Sequence, residues 1–157
     1  NDAVRRPFAL FLLTAVALWA WGAPAAEARK LSEGEIRTIW RANGAVPGVQ
    51  EFQFGVVDWE SRTAAVTGRS SPEASTPSGR LLAKRQAMAD AQRNLLYLLY
   101  ELRYGLPERI SSIEVEGHVV MGHIDYQGEE GSRYVVEVSL PLHRLLEECV
   151  IWKARVK

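Results

Sequence analysis

Residues 78–104 read SGRLLAKRQAMADAQRNLLYLLYELRY, bounded by a polar stretch before and by Gly105 and Pro107 after. The spacing predicts one long helix. Leu81, Met88, Ala91, Leu95, Leu98 and Leu102 fall on one stripe at steps of three, four or seven. Ala83, Ala87 and Ala91 form a second row at steps of four, where small side chains let another backbone come close. From Leu95 to Tyr100 the helix is apolar all round, and such a helix is buried all round. One sheet covers one face, so this end needs a second cover, expected from an N-terminal helix, a C-terminal helix or another subunit.

Working outward, Phe52, Phe54 and Val56 alternate towards Trp59, a reversal follows at Glu60-Ser61-Arg62, and Thr63 to Thr67 is again extended. Two hairpin-paired strands are expected there in preference to one long strand with a bend. GRSSPEASTPSG, residues 68–79, carries no apolar periodicity and two prolines, and reads as a loop. Beyond the helix, Ile113 to Tyr126 reads as one extended segment interrupted at Gly117 and Gly122. QGEEG is a turn, and Tyr134, Val136, Val138 and Leu140 alternate as a half-buried strand ended by Pro141. His143 to Trp152 is expected to close the chain as a short helix. Upstream, Ser32-Glu33-Gly34-Glu35 has the form of a capping box opening a short helix with Ile36, Ile39 and Trp40 on one face. The expected fold class is α+β: an antiparallel sheet of about four strands packed on one long helix, with short helices at both ends.

Arg5 and Arg6 precede the apolar run Phe8 to Trp21, followed by Ala23-Pro24-Ala25 and Ala26-Glu27-Ala28. That is the pattern of an export signal over residues 1–28, with cleavage after Ala25 or Ala28. The run is shorter than the ~20 apolar residues of a membrane span, so the membrane enters only through an uncleaved leader. Residues 29–48 are then a short helix and linker, and 49–157 a single domain. Nineteen Lys and Arg against nineteen Asp and Glu leave the chain formally neutral, which argues against a nucleic-acid coat. The sole cysteine, Cys149, excludes an internal disulfide and a multi-thiolate metal site within one chain, and is expected to be buried and inert. No cysteine stands near the cleavage region to accept a lipid anchor.

Trp59, Ala65-Val66-Thr67-Gly68, the polar loop and Ala83-Lys84-Arg85-Gln86-Ala87-Met88-Ala89-Asp90-Ala91-Gln92-Arg93-Asn94-Leu95 resemble the Lpp-twenty lipoprotein family of bacterial envelopes. Val115-Glu116-Gly117-His118-Val119 and Tyr134 to Leu142 continue that resemblance, which spans roughly residues 50 to 142 and is similar also to the N-terminal domain of flagellar assembly protein T. The resemblance implies a β–α–β–β core of dodecin-like shape. It also implies a periplasmic or envelope protein without enzyme activity, tied in some members to outer-membrane or flagellar assembly. It supplies no catalytic residues.

The residues agree that no reaction is written here. His118 and His123 sit five apart, on opposite faces of a regular strand, and Ser70 and Ser71 lack a spaced His and Asp. No cofactor or metal site is expected. The expected activity is assembly with itself or other envelope proteins, through the apolar helix end at Leu95, Leu96, Tyr97, Leu99, Tyr100 and Tyr104. Arg80, Lys84, Arg85 and Arg93 give the helix a basic face. The alternative is a small-molecule or glycan binding module using a cleft beside the 68–79 loop.

Overall fold

The computed structural model describes residues 48–72 and 76–157, together with 38, 39 and 42. The leader over 1–28 and most of the helix expected after Ser32 lie outside the described residues. Thr38, Ile39 and Ala42 are helical, and Ile39 packs against the core. The element order is β1 (Val49–Glu51), β2 (Val56–Asp58), β3 (Thr63–Arg69), α1 (Pro77–Tyr104), β4 (Ile113–His118), β5 (His123–Glu130), β6 (Arg133–Pro141), α2 (Leu142–Glu148) and β7 (Val150–Val156). A five-stranded antiparallel sheet runs β1-β2-β3-β6-β5, and β4 and β7 form a separate antiparallel pair.

The long helix starts where the sequence stops it from starting earlier. Thr76 is the N-cap, its hydroxyl accepting from the Gly79 N–H at 3.0 Å, and Pro77 follows with no N–H to lose. The helix ends at Gly105, whose φ of 73° is the left-handed backbone that glycine adopts freely. Its first half lies on β3 and β6. A Cβ at Gly68 would collide with the Ala87 carbonyl oxygen and the Ala91 nitrogen, so the helix backbone rests directly on the strand. Ala83, Ala87 and Ala91 are all buried along this line. Further on, Leu95, Leu98, Leu99 and Leu102 join Val66, Val136, Val138 and Leu140 in the core.

Polar residues of the helix complete the strand it rests on. β2 pairs with β3 only from Thr63 to Ala65, which leaves the outer edge of Val66–Arg69 without a neighbouring strand among the described residues. Asn94 Nδ2 donates to the Thr67 carbonyl at 2.8 Å, the Arg69 N–H donates to Asp90 Oδ2 at 2.9 Å, and the Ser71 N–H donates to Gln86 Oε1 at 3.2 Å. Four helical residues advance about 6 Å and two strand residues about 6.6 Å, so the two spacings stay in step over two turns.

Three expectations are corrected. The sheet has five strands rather than about four, because β1 adds an edge and the turn Phe52–Gly55 interrupts what reads as one strand; the Phe52 N–H donates to the Gly55 carbonyl at 2.8 Å. The segment Ile113–Tyr126 is two strands in different sheets, β4 and β5, parted at Val119–Gly122. The closing helix stops at Glu148. Cys149 is extended, and Val150 to Val156 form β7 against β4, since β-branched and aromatic residues alternate there with Lys153 and Arg155. The β4–β7 pair therefore supplies the second cover of the helix end.

Replacing Gly68 by Ala is expected to cost about 1–3 kcal/mol or more in urea denaturation, since neither the Ala87 carbonyl nor the Ala91 backbone can recede alone. An unchanged midpoint would show that the helix does not sit on the strand this closely.

Candidate functional site

The expected interaction residues divide into two groups. Leu95 and Leu99 are 1% exposed and Leu96 is 8% exposed, so these three are core, which corrects their placement on an interaction surface. Leu95 and Leu99 pack in the core with residues of the main sheet and α2, and the β4–β7 pair covers the helix flank that the main sheet leaves open. Tyr97 is half-buried and occupied: its hydroxyl donates to the Ile113 carbonyl at 3.3 Å, Phe54 meets its ring edge-on at 4.8 Å, and the Arg93 guanidinium lies 5.9 Å from its centroid.

Tyr100 and Tyr104 lie on a different footing. Their rings are 5.0 Å apart and tilted, and Tyr104 is 66% exposed. Beside them stands Trp152 of β7, also 66% exposed, with Ile151, Lys153 and Ala154. The two tyrosines and β7 enclose an open groove of ≈ 270 Å³. Trp152 is absent from the expected surface because a closing helix would carry it elsewhere. Its placement follows from the strand β7, and the alternation Val150, Trp152, Ala154, Val156 is the signal in the sequence that points to it.

The basic face is discontinuous. Arg80 pairs with Glu129 at 3.7 Å and Arg93 pairs with Asp90, while Lys84 and Arg85 are exposed. A second concavity of ≈ 250 Å³ lies where β2 falls short, lined by Phe52, Phe54, Thr67, Arg69 and Asn94 among others. Arg69 is its one lining residue from the 68–79 stretch, and it lies in β3 rather than in a loop.

One ionisable group is buried in the helix end. Glu101 is 8% exposed, and burial pushes its carboxyl above the usual glutamate value, against the N–H groups of Gln53 and Phe54, which pull it down. The Gln53 N–H reaches both oxygens, at 3.0 and 3.1 Å. Glu101 thus ties the Phe52–Gly55 turn to the helix and presents no free oxygen to the groove. Cys149 is buried and its thiol is raised by that burial. His118, His123 and His143 are exposed, with His123 Nδ1 3.0 Å from Asp125 Oδ1. No group of three or more His, Cys, Asp or Glu that could hold a metal occurs among the described residues, and no described helix is long and apolar enough to cross a membrane. A scan of family models, a search of curated proteins and a search of solved structures returned no match.

Glu101→Ala is expected to destabilise the fold by about 1–3 kcal/mol, because it strands the turn N–H groups. Glu101→Gln tests the charge separately. A carboxyl raised in the folded state binds its proton more tightly there than in the unfolded chain. Its stabilising effect is therefore full below the unfolded value, about 4.3, and is lost as pH rises through the folded one. Urea titrations should show the wild type weakening relative to Glu101→Gln as pH rises; a constant difference contradicts the assignment.

Proposed function

We propose that this chain is a non-enzymatic, exported protein of the bacterial envelope that acts by protein–protein assembly, in the periplasm or at the outer membrane, in a setting such as flagellar assembly. The observation that carries the reading is the aromatic rim of half-buried Tyr100 with exposed Tyr104 and Trp152, residue types enriched in protein interfaces. Buried tyrosines and tryptophans find partners for their polar ends within the fold, as Tyr97 does; this rim instead presents its rings to solvent.

The Lpp-twenty resemblance supports the same reading from the sequence side. With β4 set aside in its own pair, β3, α1, β5 and β6, with β6 between β3 and β5, have the β–α–β–β order that the resemblance implies. Several residues of the motif that carries the resemblance have a structural use: Gly68, Ala87 and Ala91 allow the close approach, and Gln86, Asp90 and Asn94 bond to the backbone at the edge of β3 and just beyond it. A motif consumed in packing leaves function to the surface. A second reading, a small-molecule or glycan module, draws on the ≈ 250 Å³ cleft beside Arg69. Thermal stabilisation by a sugar, lost in Arg69→Ala, would select it.

A photo-cross-linking residue placed at Tyr104 or Trp152 in the full chain is expected to yield protein adducts in cells, in the envelope fraction. The same residue at Lys84, exposed on the helix, should yield few. Equal yields at all three positions, or adducts confined to the cytoplasm, would overturn the assembly reading.

A further inference from the structure

β5 and β7 are outer strands: among the described residues each has a strand on one side only. β5 is exposed on both faces at every residue except Gly128, and β7 is exposed from Trp152 to Arg155. The open sides carry main-chain groups ready for a ladder. The Ser70 N–H bonds to the Tyr134 carbonyl, so Tyr134, Val136 and Val138 face β3, and Arg133, Val135 and Glu137 face β5. Their partners Glu130, Gly128 and Tyr126 point inward, and the alternation of an antiparallel ladder sends the N–H and C=O of Gln127 and Glu129 outward. On β7, the Lys157 N–H and C=O both bond to the Ser111–Ser112 backbone, so Arg155 and Lys153 face β4 and Ala154 faces outward, while Trp152 is the extra residue of a bulge opposite Glu116 and Gly117.

The two edges are opposite in charge. β5 carries Asp125, Glu129 and Glu130 with no Lys or Arg, and β7 with the residue after it carries Lys153, Arg155 and Lys157 with no Asp or Glu. Two copies of β5, or two of β7, would bring together strands of the same net charge. β5 against β7 brings together strands of opposite charge, each carrying exposed apolar side chains, Ile124 and Tyr126 on one and Trp152 on the other. Existing pairs do not cancel this. Glu116–Lys153 and Arg80–Glu129 are exposed contacts at 3.2 and 3.7 Å, of the kind worth ~0–1 kcal/mol. The glutamates of β4 also lie one strand further from an added strand, about 10 Å rather than about 5 Å.

Resting on the assembly reading, we infer that the partner at this surface is a second copy of the same chain, its β7 added to the open edge of β5. The contact joins two different surfaces, so it propagates head to tail and closes into a ring or extends as a filament.

Light scattering on the full chain tests it. The wild type is expected to self-associate with concentration, with an association constant that falls about tenfold or more between about 0.05 and 0.5 M salt. Lys153→Glu with Arg155→Glu, and separately Glu129→Lys with Glu130→Lys, should each be monomeric alone and associate when mixed, because each variant then offers the other two complementary edges. Gln127→Pro and Ala154→Pro remove one outward N–H each without touching the internal ladders, and should be monomeric as well. A wild type that stays monomeric, or one whose assembly ignores salt and both proline changes, overturns the inference. A monomer that still gives protein adducts at Tyr104 overturns it while leaving the assembly reading in place.

Discussion

The fold depends on a contact between two backbones, at Gly68 of β3 and Ala87 and Ala91 of α1. A helix that rests on a strand at this distance has no room for side chains between them, which is why the row Ala83, Ala87, Ala91 is small. The same closeness brings Gln86, Asp90 and Asn94 within hydrogen-bonding reach of the strand's outer edge. Three side chains thereby take up part of what a neighbouring strand would bond. The Thr67 C=O and the Arg69 N–H on that edge are satisfied without one.

From that anchor the rest of the chain follows. Beyond Ala91 the small residues give way to Leu95, Leu98, Leu99 and Leu102, which fill the core down to β6 and α2. The opposite flank of the same helix end still has apolar surface, and the β4–β7 pair is laid over it, with Val115 buried there. The cover is narrow. It leaves Tyr104 and Trp152 outside, and it leaves β7 with an open edge, so the chemistry available to a partner is a consequence of how little of the helix a two-stranded sheet can hide.

Much of this is legible in the sequence. The helix end follows from Gly105 and Pro107, whereas its cap at Thr76-Pro77 lies inside the stretch that reads as a loop; the alternation from Tyr134 to Leu140 marks β6 because one side faces the core and the other does not. What escapes a reading of the sequence is non-local. Leu145, Leu146, Cys149 and Val150 fit a helix as well as the end of a helix and the start of a strand, and only β4 as a partner decides between them. Ile113 to Tyr126 reads as continuous because nothing local says that its halves join different sheets. Gln86, Asp90 and Asn94 look like ordinary surface at steps of four, and their use is visible only once β3 lies beside them. Among the candidate site residues, Tyr100 and Tyr104 are readable as aromatics at the rim of a helix end, whereas Leu95, Leu96 and Leu99 lie in a run that is apolar all round, and only the fold decides that all three are covered.

Native-state amide hydrogen exchange at Arg69 tests the central contact most directly. Its N–H faces away from β6 and no strand pairs with it on that side among the described residues, so only the Asp90 carboxylate can protect it. Protection comparable to the inner ladder amides of β3, lost on Asp90→Ala while the Val66 and Gly68 amides keep theirs, is the predicted result. Free exchange at Arg69 in the wild type would contradict the account.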